Sequence, residues 1–278
     1  VFLADYHVHT EFSPDAHVSM AEMAEAAVKR GMSQICFTDH VDIEYCKPEG
    51  VFYDPHAFSR WDEMRACFDS VKATMDGRLN LRFGVELSAI NHHLEDAERI
   101  ASMDCLDFVI GSVHNLRDMN DFYFLKYDSD EMCRELFDKY IGECFEVAHS
   151  GCCDVLGHFG YTNRYMIRQG YTVDMLDFTD RIKDLFHLIA RNGIGIEINT
   201  SGLRDKLHST IPSLPLLKLY RECGGEVVTV GSDAHTADAV GTGIKEAYEL
   251  LEEAGFRFVT TFKNRRREFI RLRKLTMY

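Results

Sequence analysis

The side chains best suited to chemistry in this chain of 278 residues are imidazoles and carboxylates, and they recur in short, similar blocks. His7 and His9 stand two apart in Tyr6-His7-Val8-His9-Thr10, a spacing that on an extended strand turns both to one side. Asp15 follows in Phe12-Ser13-Pro14-Asp15. Further blocks are Thr38-Asp39-His40, Gly84-Val85-Glu86-Leu87, Gly111-Ser112-Val113-His114, Leu156-Gly157-His158 and Gly231-Ser232-Asp233-Ala234-His235. Each alone fits a hydrogen-bonded structural histidine or a turn aspartate. Jointly they place six of the 13 histidines, with three carboxylates, in equivalent surroundings, which chance does not explain. Neutral imidazole and ionised carboxylate are mixed nitrogen and oxygen donors suited to zinc, manganese or iron. Nine donors exceed the need of one ion and suffice for two or three. A glutamate can bridge such a pair, which lowers the pKa of a shared water towards neutrality.

Set against Asp15, Glu86, Asp233 and one hydroxide, three divalent ions leave a positive remainder that matches a phosphate monoester dianion. Arg164, in His158-Phe159-Gly160-Tyr161-Thr162-Asn163-Arg164, and Arg204, in Glu197-Ile198-Asn199-Thr200-Ser201-Gly202-Leu203-Arg204, are candidates to grip it, because guanidinium forks match phosphate oxygens. Either could equally form a surface salt bridge. His17, two residues past Asp15, is a candidate substrate contact and general acid for the leaving group, with a water as the alternative acid. His56, His149 and His187 read as surface or packing residues in or beside helices, while His92, His93 and His208 fall in loops.

The elements that must position these residues alternate. Strands are expected over Phe2 to Val8, Ile35 to Thr38, Leu81 to Leu87, Phe108 to Val113, Asp154 to Gly157, Gly195 to Ile198 and Val227 to Val230. Helices are expected behind them near residues 19–31, 57–75, 95–101, 130–149, 173–191, 214–223 and 238–253. The first opens on a capping box, Ser19 with Glu22, and ends at Gly31. Seven strands alternating with helices imply a parallel α/β barrel whose chemistry sits at the C-terminal strand ends. Every block of ligand candidates falls at such an end or beside it.

The formal net charge of -14 disfavours a protein that holds nucleic acid by its backbone. The one basic cluster, Lys263, Arg265, Arg266, Arg267, Arg271, Arg273 and Lys274, reads as a solvated terminal helix or strut, with a docking surface for an acidic partner as the alternative. Nine cysteines without a CxxC pair suggest a reducing compartment. No signal peptide or membrane span is visible, so a cytoplasmic protein is expected.

The quoted blocks resemble the ordered motifs of the polymerase and histidinol phosphatase (PHP) superfamily over nearly the whole chain, and most closely those of its monofunctional histidinol-phosphate phosphatases. The resemblance implies a distorted (β/α)7 barrel, residues 1–278 forming a single domain, with three divalent ions of zinc, manganese or iron. It implies one ion on His7, His9, Glu86 and Asp233, a second sharing Glu86 with His114 and His158, and a third on Asp15, His40 and His235. Many relatives carry histidine where this chain has Asp15. It further implies Arg164 and Arg204 on the substrate phosphate, and L-histidinol phosphate as substrate in histidine biosynthesis.

The expected reaction is hydrolysis of a small phosphate monoester by a metal-bridging hydroxide, with Glu86, Asp233 and His17 as the residues nearest the chemistry. Neither nucleic acid nor membrane is expected as a partner, and the oligomeric state stays open. A PHP-type phosphodiesterase or nuclease and an amidohydrolase-like C–N hydrolase are the alternatives. The second often uses a bridging lysine, and none stands at these strand ends. A non-catalytic metal-binding regulator is the third. The loops after the second, fourth and fifth strands are long enough to cover a site, and Asp42, Glu44 and Tyr45 in the first could meet a cationic group or face solvent.

Overall fold

The computed structural model describes residues 1–43 and 60–272. Glu44, Tyr45, His56, Ala57, Arg273 and Lys274 lie outside the described residues. Seven parallel strands form the wall: β1 (Ala4–Val8), β2 (Gln34–Phe37), β4 (Asn80–Ser88), β5 (Phe108–Ser112), β6 (Val155–Leu156), β7 (Gly195–Asn199) and β8 (Val228–Gly231), paired in that order. A short strand not expected from the sequence, β3 (His40–Asp42), continues beside β4 where β2 stops, with His40 opposite Glu86. The sheet closes between its first and last strands. Val8 bridges Ala234 in parallel, and the His9 N–H donates to the Ala234 carbonyl at 2.9 Å. The fold is thus a nearly closed seven-stranded parallel barrel, as expected.

Among the described residues eight α-helices flank the wall: α1 (Met20–Lys29), α2 (Trp61–Thr74), α3 (Leu94–Ala101), α4 (Asp130–Ser150), α5 (Tyr161–Arg168), α6 (Thr179–Asn192), α7 (Leu214–Glu222) and α8 (Ile244–Glu253). The capping box forms as expected, Ser19 accepting from the Glu22 N–H and Glu22 from the Ser19 N–H. Met20, Met23, Ala24 and Ala27 are the buried stripe of α1. The strands' β-branched and aromatic side chains meet such stripes in one continuous core. The sequence reading did not anticipate α5, which starts three residues after His158 behind the left-handed Gly160.

The basic segment is no solvated helix. It belongs to an antiparallel hairpin, β9 (Phe258–Lys263) and β10 (Arg266–Arg271). Phe262 packs with Tyr6, Phe108, Ile110 and Val155 as a separate cluster that seals the barrel beneath the N-terminal strand ends. Tyr6 Oη accepts from the Phe262 N–H at 2.9 Å and donates to its carbonyl at 3.0 Å. At the turn, Arg265 Nε donates to Asp154 Oδ2 at 2.5 Å and Nη1 to the Ala101 carbonyl at 2.6 Å. Among the described residues no helix is long and apolar enough to cross a membrane.

Candidate active site

The C-terminal strand ends converge on one buried cluster. β1 delivers His7 and His9 with the help of a bulge: its register against β2 slips between Asp5 and Val8. The extra residue lets Tyr6 point down into the sealing cluster while His7, its neighbour, still reaches the site. Glu86 is the hub. Its Oε2 lies 3.2 Å from His7 Nε2, 3.5 Å from His9 Nε2 and 3.1 Å from His40 Nδ1, and its Oε1 lies 2.8 Å from His158 Nε2 and 3.1 Å from His114 Nε2. Asp233 Oδ1 is 3.7 Å from His7 Nε2 and 3.4 Å from His9 Nε2. Asp15 stands 3.1 Å from His235 Nε2 and 3.7 Å from His40 Nε2. All nine residues picked from the sequence as metal ligands therefore come together, though from seven separate stretches of chain.

Two of them stand in strained backbone. His158 has φ 21° and Asp233 has φ 54°, each just past a strand end. Non-glycine residues seldom adopt this region, at a cost of order 1–3 kcal/mol, and it is held here by the surrounding bonds. The turn at Asp233 hangs on Asp5, which accepts from the Ser232 N–H at 2.8 Å, the Ser232 hydroxyl at 2.5 Å and the Gly241 N–H at 2.9 Å. Gly231 cannot bear a side chain, because a Cβ there would strike His7 and Glu197.

A second layer aims the imidazoles. His7 Nδ1 donates to Glu197 Oε1 at 2.6 Å, leaving Nε2 as the inward lone pair. The other oxygen of Glu197 accepts from the His158 N–H at 2.9 Å. His9 Nδ1 donates to Ser13 Oγ at 2.9 Å, and Ser13 in turn donates to Asp39 at 2.7 Å. Sequence reasoning gave Glu197 no role. Its only signal was a carboxylate inside an otherwise apolar strand.

The donors fit divalent cations. His7 Nε2, His9 Nε2 and His40 Nδ1 are buried with no hydrogen-bond partner although carboxylate oxygens face them. Buried polar atoms are rarely left so unless an ion satisfies them. His7, His9 and Asp233 bring one atom each within 4.8 Å of one another; so do His9, His40 and His235, and so do Glu86, His114 and His158. Asp42 joins a fourth such group with His40 and His114, a donor the ligand reading had not included. Charge states agree. Burial opposes ionisation of Glu86, yet the imidazoles of His7, His40 and His114 hold its carboxyl well below the usual range. Burial, with His235 and His40 beside it, pushes His9 down to about 3, so its ring is neutral.

A cleft of about 760 Å³ opens above the cluster, lined at its base by Asp15, His40, Glu86, His114, His158, Asp233 and His235. Tyr123, Phe124, Tyr161 and Tyr165 line it further out, with Asp42, Asp121, Arg164 and Arg168. Arg164 thus stands where the sequence reading put it, 3.8 Å from Asp233. Arg204 does not line the cleft. Its Nη1 donates to Thr242 Oγ1 at 2.6 Å and its Nη2 to the Ser232 carbonyl at 2.8 Å, so it braces the Asp233 turn from behind. His17 is exposed and is not among the cleft residues, so the geometry gives it no part as contact or acid. Arg168, unremarked in the sequence, takes a place in the wall because α5 carries it one turn beyond Arg164.

Known proteins resemble this chain. A histidinol-phosphatase of Lactococcus lactis is 28% identical over 266 residues, covering 93% of both chains. A probable histidinol-phosphatase of Clostridium acetobutylicum is 28% identical over 260 residues, covering 91% of this chain and 94% of its own. The crystal structure of the histidinol phosphate phosphatase from Lactococcus lactis, complexed with zinc, L-histidinol and phosphate, superposes with a TM-score of 0.77 at 24% identity, over 96% of this chain and 98% of that one. The PHP domain profile matches residues 5–201, a span holding seven of the nine converging ligands, and this chain belongs to the PHP domain family.

Proposed function

We propose that this protein hydrolyses phosphate monoesters with bound divalent metal ions, and that its substrate is L-histidinol phosphate. The observation that carries this reading is the pairing of a nine-donor cluster with a cleft of mixed charge. Arg164 suits the phosphate, while Asp42 and Asp121 line the same cleft and suit a cationic half. Relatives called histidinol-phosphatase, aligned over nine-tenths of the chain, support the same substrate. His7, His9, Glu86 and Asp233 would hold one ion, Glu86, His114 and His158 a second, and Asp15, His40 and His235 a third. When bound, such ions supply Lewis acidity towards phosphoryl oxygens and a water of lowered pKa.

The chain's own residues then divide the work. Glu197 and Ser13 keep His7 and His9 in the tautomers that present Nε2 inward. Arg164, with Nε on Asp205 and Nη1 on Ser201 Oγ, offers fixed positive charge to the equatorial phosphoryl oxygens. Burial raises the pKa of Asp121, and its carboxylate accepts from Tyr161 Oη at 3.4 Å. An ammonium or imidazolium placed there would pair with the carboxylate and hold the ester still over the cluster. Action on a small cytoplasmic metabolite fits the eight free cysteines among the described residues.

The test is phosphate release from histidinol phosphate, sugar phosphates, nucleoside monophosphates, a diester and short single-stranded DNA. Histidinol phosphate should lead in kcat/KM by at least about tenfold. A diester or DNA in first place would transfer the protein to the nuclease reading. Another monoester in first place would keep the chemistry and discard the substrate.

A further inference from the structure

Arg164 and Arg168 sit one turn apart on α5 and reach back to a single carboxylate outside that helix. Asp205 Oδ2 accepts from Arg164 Nε at 2.7 Å, from Arg168 Nε at 3.0 Å and from Arg168 Nη2 at 2.6 Å. Its Oδ1 accepts from the Lys206 N–H at 2.6 Å, which fixes the carboxylate to its own backbone. The Tyr165 ring underlies both guanidinium groups, its centroid 5.9 Å from Arg164 Cζ and 4.9 Å from Arg168 Cζ. Two flexible cationic side chains are thereby held by one edge and one face, with their remaining N–H groups beside the cleft that both line. Asp205 does not line that cleft.

We propose that Asp205 is a positioning residue that locks Arg164 and Arg168 into a paired anion grip, with Arg168 as the second arginine acting on the substrate phosphate. This rests on the phosphatase reading above and adds a residue to it. The two possible roles of the carboxylate carry opposite signs. As a mere counter-charge, Asp205 offsets part of the arginines' attraction for an anion, and removing its charge would tighten phosphate binding. As a positioning group, it restricts side chains that otherwise lose rotamer freedom when they engage a ligand, and removing it would weaken binding. Four short bonds converging on one half-buried carboxylate favour the second.

The experiment uses the full chain loaded with metal and inorganic phosphate as the probe, read both by calorimetry and as a competitive inhibitor. Asp205→Asn should weaken phosphate binding by about tenfold, the effect of losing charge-assisted hydrogen bonds. KM for the monoester should rise in step, kcat should change less, and metal content should hold. Asp205→Glu should recover part of the loss. Arg168→Gln should also weaken binding, and the double variant should lose less than the sum of the two single losses. Unchanged or tighter phosphate binding in Asp205→Asn overturns the proposal. So does unchanged binding in Arg168→Gln, whose side chain is about a third exposed and is tolerated even if Asp205→Asn fails to fold. Calorimetric binding needs no turnover, so a chain that cleaves no monoester would sink the phosphatase reading while the grip is judged separately.

Discussion

Glu86 lies within 3.5 Å of five imidazoles, and no other side chain in the cluster has that reach. A carboxylate so placed serves more than one cation, so Glu86→Ala should cost the purified, reconstituted protein more than one equivalent of metal by elemental analysis. Loss of a single equivalent would mean that the oxygens do not bridge. One shell out, Glu197→Gln keeps the shape and removes the charge that fixes His7. Metal affinity should fall roughly 10–100-fold in a competitive chelator titration with the fold intact; an unaltered affinity would reduce Glu197 to packing. The nine donors were legible in the sequence because each stands at or beside the end of an apolar run. Glu197 was not, since its role exists only through a ring 190 residues away. The bonds of Arg204 to Thr242 and to the Ser232 carbonyl were not legible for a related reason: proximity in sequence to the strand end does not say which partners a long side chain takes.

At the scale of elements, the strand–helix alternation was readable from hydrophobic periodicity, and the capping box of α1 formed as expected. What escaped was pairing that periodicity cannot see. β3 is three residues long, and α5 follows a glycine turn with no cap signature. The hairpin β9–β10 carries so many arginines that it resembled a solvated helix. Its charge is structural at one point. Arg265 and Asp154 are largely shielded, at 23% and 10% exposure, and Arg265→Ala would take the charged donor from a carboxylate that keeps the Val109 N–H and would leave the Ala101 carbonyl without its Arg265 donor. The expected cost is about 2–4 kcal/mol. In a chain of this size that lowers Tm by roughly 5–15 °C. Metal content should be unaffected, because the hairpin lies at the opposite end of the barrel. A Tm within a degree of the parent would show the anchor to be redundant.

For the molecule as a whole, metal and protons compete. In the metal-free chain, burial lowers the imidazole pKa values, but the carboxylates outweigh it and hold His7, His40, His114 and His235 above the ordinary 6.5, His40 at about 10. Raised imidazole pKa values contribute stability that is complete below 6.5 and is lost as pH climbs through the folded values. His9, depressed to about 3, finishes its own change below 6.5 and adds no slope above it. Metal binding needs the rings neutral and expels those protons, so it strengthens over the same interval. The gap in Tm between metal-loaded and metal-free protein should therefore widen from about pH 6.5 to about pH 8.5. A gap that narrows would show that the rings are already neutral before metal arrives.

The seal beneath the barrel has a consequence for how the chain is made. Tyr6 and Phe262 are 256 residues apart, and the Ala4 N–H donates to Tyr248 Oη across 244. The two ends of the strand order meet at the Val8–Ala234 bridge and through Asp5, which accepts from Ser232. During synthesis, β1 therefore waits on the ribosome with its ligands and its inward face uncovered until almost everything else has emerged. Contacts this distant in sequence slow the final step of folding. The exposed β1 edge is where a nascent chain of this protein should be most sensitive to proteolysis, and where a chaperone would find it.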